Sequence, residues 1–386
     1  MTTPSPASIA THFSQLEDPR RDHLKLHSLH DILVLSICGT ICGTICGTDG
    51  FTAIEEYGHA KEDWLSTFLD LKNGIPSHDT IGRVFSLIET EQFERCFLAW
   101  MQSIFETTEG EVVVLDGKRL RGSYDRASNQ AALHMVGAWA TENCLLLGGI
   151  QTEDKSNEIK AIPELIRLLD LHGCIVTIDA VGCQREIAQA ILERGADYVL
   201  SLKANQGGLC ADVEALFDRV RLPVAPTEGV VERGLAFAKA VDGAHGRIEQ
   251  RRCWALPVAG QGLLDLDRWP GLRTVVLLER IREVGSCTSV ERHYYISSLP
   301  AEAGHLLRVI RRHWHVENRL HWVLDVAFEE DQSRIRSGHA AANLALVRRL
   351  AVSALQRERS LKRGIAIKRL RAGWDQAYLF DVLQLV

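Results

Sequence analysis

The sequence predicts an α/β fold in which a small helical domain precedes a mixed-sheet core interrupted by a β-rich insertion. Three observations predict it. Apolar residues recur at helical spacing up to about residue 108; from Glu111 the pattern changes to short β-branched runs; and two of those runs end in an aspartate. These are Asp116, after Val112-Val113-Val114-Leu115, and Asp179, after Cys174-Ile175-Val176-Thr177-Ile178.

Taken in order, helices are expected over Ile32 to Thr48, Ala53 to Phe68, Ile81 to Leu87 and Glu91 to Phe105, with a break at Asn73-Gly74-Ile75-Pro76-Ser77. They make up a first domain, residues 1–108. Strands are expected over Val112 to Leu115, Leu133 to Ala140 and Cys144 to Gln151. A helix (Ile162 to Leu171), a strand (Cys174 to Ile178), a helix (Arg185 to Arg194) and a strand (Tyr198 to Leu202) follow. Three antiparallel strands and then alternating helix and strand describe a ribonuclease-H-like core, in which ligands gather at strand ends. Regularity weakens after Lys203-Ala204-Asn205-Gln206, so residues 206–293 or so read as an insertion with β-prone pieces at Arg251 to Leu256 and Arg273 to Glu279. Helical periodicity returns over Ala301 to Val326, which carries Glu317, and over Asn343 to Gln356; a basic tail, 357–386, ends a second domain of residues 109–386.

The 386 residues can bury a large interior, and their apolar and charged fractions are those of a water-soluble globular chain. A net charge of −6 excludes a uniformly basic coat, so any contact with nucleic acid must come from local patches. Ten cysteines without a CxxC pair, and no signal peptide, suit reduced thiols and a cytoplasmic location. The apolar run Ile32 to Thr48 repeats Ile-Cys-Gly-Thr three times from Ile37. It falls short of the roughly 20 apolar residues of a membrane span, and its Gly and Thr content suits close helix packing, so no membrane partner is expected.

A buried strand has no use for a carboxylate at its tip, but a hard divalent cation does. Either aspartate alone could be a plain turn or cap residue. Together with Glu317, in His313-Trp314-His315-Val316-Glu317-Asn318, they have the layout of a two-metal phosphoryl-transfer site. Two Mg²⁺ ions, or Mn²⁺ in their place, are the expected cofactors.

Longer motifs extend this reading. Asp116-Gly117-Lys118 through Arg121-Gly122-Ser123, Thr177-Ile178-Asp179-Ala180 with Gly182-Cys183-Gln184, and Trp314 to Asn318 followed by Leu320 to Val326 resemble the H-repeat-associated group of DDE-type insertion-sequence transposases. Asp18-Pro19-Arg20 and Gly74-Ile75-Pro76-Ser77-His78-Asp79-Thr80 resemble that group's N-terminal transposase-associated domain, and Ile367-Lys368-Arg369 with Ala372-Gly373-Trp374 its C-terminal end. The resemblance implies that Asp116, Asp179 and Glu317 are catalytic metal ligands of a nuclease and DNA strand transferase. One departure is visible. Where related enzymes often carry Tyr, Arg and Lys around the third acid, this sequence has Ile310, His313 and Leu324, so Arg311, Arg312 or Arg319 is left to supply the phosphate contact.

Candidate DNA contacts are Lys118 and Arg121 beyond the first aspartate, Lys203 beyond the strand at Tyr198, Arg247 in the insertion, Arg311 and Arg319 near Glu317, and Lys368 and Arg369 in the tail. Arg247, Glu249 and Arg251 alternate, so they share a strand face either as a salt-bridged ladder or as a DNA contact. The spacing of His313, His315 and His321 does not put three zinc ligands on one helical face. Trp314 and Trp322 are expected to pack their helix against the core, with stacking on a flipped base as the alternative. The function implied is a bacterial insertion-sequence transposase, a homodimer acting on the element's terminal inverted repeats and on double-stranded target DNA. The rivals are a catalytically inactive or domesticated DNA-binding derivative, and a general metal-dependent nuclease without strand transfer.

Overall fold

The computed structural model describes residues 11–46, 50–105, 109–124, 132–152, 157–220, 222–223, 227–232, 234–244, 247–262 and 268–384. Its first elements are helices α1 (Leu29–Cys46), α2 (Phe51–Ala60), α3 (Glu62–Leu65), α4 (His78–Leu87) and α5 (Thr90–Ile104), then strands β1 (Val112–Arg119), β2 (His134–Ala140) and β3 (Leu145–Thr152). Helix and strand alternate through α6 (Glu158–Leu168), β4 (Ile175–Ile178), α7 (Arg185–Glu193), β5 (Asp197–Leu202) and α8 (Gly207–Val220). Strands β6 (Gly229–Glu232), β7 (Leu235–Ala244), β8 (Arg247–Pro257), β9 (Thr274–Val284) and β10 (Cys287–Ser297) follow. The rest is helical: α9 (Ala303–His313), a π turn (Glu317–His321), α10 (Trp322–Val326), α11 (Ala340–Arg357), α12 (Ile365–Trp374) and α13 (Gln376–Gln384).

The sheet order is β3-β2-β1-β4-β5-β10-β9-β8-β7-β6. Strands β2 and β3 are antiparallel, whereas β1 with β4 and β4 with β5 are parallel. This is the mixed, ribonuclease-H-like arrangement expected from the sequence. Residues Val112 to Leu115 and Ile175 to Ile178 are buried throughout, as befits central strands covered on both faces. Strand β10 joins the insertion to the core sheet by pairing antiparallel with β5, Tyr294 opposite Leu202. Helix α8 is the part of the insertion that weak periodicity concealed.

The chain forms two compact units: Met1–Glu106 with Gly117–Asn157 and Val316–Val386, and Thr107–Asp116 with Glu158–His315. In the first, α1 is buried from Asp31 to Gly43 and packs on α2, α11 and α12. Its small residues allow this, since a Cβ at Gly39 would sit 3.2 Å from Cγ1 of Ile54. The apolar run is therefore a core helix, and among the described residues no helix is long and apolar enough to cross a membrane. Residues Gly47 to Thr48 of the Ile-Cys-Gly-Thr repeat lie outside the described residues. All the described cysteines are free. The expected basic tail is built into helices α12 and α13.

Candidate active site

Strand register brings the first two acids to one end of the sheet. Leu115 of β1 lies opposite Ile178 of β4, so the next residues on these parallel neighbours are Asp116 and Asp179. Both are half-buried. Asp179 ends its strand and also caps the turn that follows, where its carboxylate accepts a hydrogen bond from the Val181 amide at 3.0 Å. That contact fixes one oxygen and leaves the other with its acceptor capacity. Two residues earlier, the Thr177 hydroxyl lies 3.1 Å from Nδ1 of His313, tying the end of α9 to β4.

Glu317 opens the π turn, and His321 closes it. Such turns are frequent at functional sites, and residues four apart in them share a face. Nδ1 of His321 is 3.7 Å from the Glu317 carboxylate. Glu317 and His321 thus present a carboxylate and an imidazole side by side, two groups that could bind a metal ion. A carboxylate beside an imidazole suits a divalent cation that accepts oxygen and nitrogen, such as Mn²⁺, and carboxylates such as those of Asp116 and Asp179 suit Mg²⁺. His321 is the residue that sequence reasoning missed. Its signal was the four-residue spacing from Glu317, not its spacing from the other histidines.

Lys118 corrects an expectation. Placed two residues past Asp116, it is buried, with Nζ 2.6 Å from Asp325 and 4.0 Å from Glu330. Glu330 is itself buried and paired with Arg349 at 2.8 Å. Lys118 is therefore held by acids on the helical side of the site and has no free charge for a phosphate. The segment around Glu330 is seated tightly against the turn after β1, because a Cβ on Gly122 would meet the Ser333 carbonyl oxygen at 2.0 Å.

Lys368 and Arg369 are corrected for the same reason. They are 6 % and 1 % exposed. Lys368 donates to the carbonyls of Leu355 and Glu358, and Arg369 donates to those of Thr40 and Ile41 while its guanidinium stacks 3.9 Å from the centre of the Phe328 ring. Arg369 joins α12 to α1 and Lys368 joins it to the end of α11, and both are buried away from any DNA contact. Arg311 is half-exposed but engaged with Asp242 at 2.6 Å. Burial raises the Asp242 pKa, yet the hydrogen bonds and charges of Arg311 and Arg251 outweigh it and hold the carboxyl below its usual range.

Arg251 binds Asp242 and Glu249, each at 2.5 Å, which is the salt-bridged ladder. The side chain of Arg247 lies outside the described residues. Arg121 is exposed, 3.4 Å from Asp331, and Arg319 is exposed with a contact of 3.5 Å to the Cys144 sulfur. Lys203 is exposed at the rim of a 450 Å³ cavity shared with Arg292 and Tyr294. Trp314 and Trp322 are 48 % and 59 % exposed, so they do not pack their helix against the core. The buried Val316, Leu320, Val323 and Leu324 do that instead.

Comparison with known proteins gives the family. Residues 107–354 match the family described as Transposase DDE domain, and residues 10–101 match the one described as DDE_Tnp_1-associated. The chain is 40 % identical to YncI of Escherichia coli O157:H7, provisionally named a transposase, over 97 % of this chain and 94 % of that protein. It is 38 % identical to YhhI of E. coli K12, provisionally named an H repeat-associated transposase, over 97 % of each. Among solved structures, a piggyBac transposase synaptic complex with hairpin DNA aligns with a TM-score of 0.42 at 9 % identity, covering 98 % of this chain and 77 % of that one.

Proposed function

Because the chain belongs to the Transposase DDE domain family, we propose that it is the transposase of a bacterial insertion sequence, binding the element's terminal inverted repeats, cutting there and joining the ends to target DNA. The observation that carries the reading is the pair of aspartates leaving the same end of adjacent parallel strands, in register. The family matches over 10–101 and 107–354 support a division into domains near residue 108.

In this reading Asp116, Asp179 and Glu317 hold the metal, with His321 beside Glu317 as a further donor. When bound, two Mg²⁺ ions would activate the attacking hydroxyl and offset charge on the phosphodiester in the transition state. The protein's own part is placement. The Val181 amide holds the Asp179 carboxylate in one orientation, and the π turn presents Glu317 and His321 together. The buried set Lys118, Asp325, Glu330 and Arg349 anchors α10 and the segment after it to β1. No protein nucleophile is needed. Arg121, Lys203 and Arg319 remain the candidates for phosphate contact, and a homodimer follows from the need to bring two ends together.

The test is incubation of labelled DNA carrying the flanking inverted repeat with Mg²⁺ or Mn²⁺, for the wild type, Asp179→Asn and Glu317→Gln. Cuts at the repeat boundary that both substitutions abolish support the proposal. Specific binding without cleavage by the wild type would replace it with a silent DNA-binding derivative, and cutting without end preference would leave a general nuclease.

A further inference from the structure

A second surface lies wholly inside the first unit. A cleft of about 840 Å³ opens between the N-terminal ends of α2 and α4 and the segment 329–337. Arg83 projects from α4, while Arg334 and Arg336 come from the segment. Arg83 and Arg334 are exposed, and no hydrogen bond or ion pair of either side chain occurs among the described residues. Arg336 is half-buried and donates to the Gly122 carbonyl at 3.1 Å, which fixes the segment that carries Arg334. His78 sits at the mouth with Glu55 at 2.5 Å, and this hydrogen bond raises its pKa toward the charged form.

Two acids, Asp79 and Glu329, also line the cleft, so its three arginines leave it net positive in a chain whose net charge is −6. Unpaired guanidiniums held apart in a cleft, with serine and threonine hydroxyls between them, are the donor set that grips phosphate oxygens. Other arginines, among them Arg20, Arg121, Arg251, Arg280, Arg311, Arg349 and Arg371, are each held by a carboxylate.

We infer that this cleft holds the sugar-phosphate backbone of double-stranded DNA, with Arg83 and Arg334 each neutralising a phosphate. The inference rests on the proposed function, which supplies the DNA. It adds a contact surface formed jointly by the N-terminal helices and the segment that follows α10. Because Gly122 and Arg336 clamp that segment to the turn after β1, the cleft that would hold the DNA is a fixed part of the first unit.

The experiment measures the binding of a fluorescein-labelled 40-base-pair duplex of arbitrary sequence across a salt series. It compares the wild type, Arg83→Ala/Arg334→Ala and Arg83→Lys/Arg334→Lys, each with its melting temperature. Losing two phosphate contacts flattens the plot of log affinity against log salt by about 1.8, at about 0.9 per phosphate. The alanine pair should show that loss without a change in melting temperature, and the lysine pair, which keeps both charges, should retain the wild-type slope. An alanine pair that binds as the wild type does overturns the inference and leaves the proposed function standing. A lysine pair as weak as the alanine pair, or a lowered melting temperature in step with lost binding, overturns it by assigning the arginines a structural role. A wild type that binds no duplex overturns the proposed function and this surface with it.

Discussion

Glu358 offers a stability prediction that can be worked through in full. It follows α11, is 4 % exposed, and accepts from the Ser360 amide at 2.5 Å, the Leu361 amide at 3.1 Å and the Tyr378 hydroxyl at 2.8 Å; Nζ of Lys368 lies 3.3 Å away. Burial opposes its charge, but the Ser360, Tyr378 and Leu361 hydrogen bonds and the Lys368 ammonium outweigh it and lower the carboxyl to about 2. The ordinary value for this group is 4.5. A fall from 4.5 to about 2 corresponds to about 3 kcal/mol, at about 1.4 kcal/mol per pKa unit. Because the folded value is the lower one, this stabilisation is complete above the unfolded value of 4.5 and disappears as pH falls toward 2. At pH 3 it should have dropped to about 1.4 kcal/mol, or half. Urea unfolding of the wild type and Glu358→Gln, followed by helical circular dichroism from pH 7 to pH 2.5, reads the difference directly. The gap between them should be largest at neutral pH and narrow steadily below 4.5. A gap that stays constant with pH, or none at pH 7, would refute the assignment of this carboxylate as the charged centre of the cluster.

Other predictions follow from the corrected cations and the tight turn. Arg369→Ala removes the guanidinium that links the Thr40 and Ile41 carbonyls to α12 and empties a buried site beside Phe328, so it should cost about 2–4 kcal/mol by thermal or urea unfolding. The salt dependence of its DNA binding should match the wild type, and an unchanged stability would refute the reading of Arg369 as a core residue. Gly122→Ala must displace the Ser333 carbonyl and should destabilise by about 1–3 kcal/mol; a crystal structure with the segment unmoved would contradict this. His321→Ala should weaken Mn²⁺ binding, measured calorimetrically on the whole protein, by about 10-fold or more. An unchanged Mn²⁺ affinity would remove His321 from the metal site.

The acids were legible because a carboxylate ending an apolar β-branched run conflicts with burial, and such conflicts concentrate at sites of function. Asp116 and Asp179 were visible this way, and what the sequence lacked was their register, which only strand pairing supplies. Glu317 was legible from its motif. His321 was overlooked because it was weighed with His313 and His315, whereas its four-residue offset from Glu317 is what puts it in the π turn with that acid. The tail was misread for a different reason. Charge is visible in a sequence, but the carbonyls that bind Arg369 belong to residues more than three hundred positions earlier. Trp314 and Trp322 are apolar enough to suggest the core, but their aliphatic neighbours fill that place.

The interleaving of the first unit bears on how the protein is made. Helix α1 is among the first elements to leave the ribosome, yet its packing partners α11 and α12 are synthesised some three hundred residues later. At roughly 5–20 residues per second, that delay is on the order of tens of seconds. Throughout it, an apolar helix stands without its cover and needs a chaperone or the ribosome surface as a temporary partner. A product truncated before α12 would keep that helix uncovered for good, so it would be a target for proteolysis before it could compete with the full-length chain.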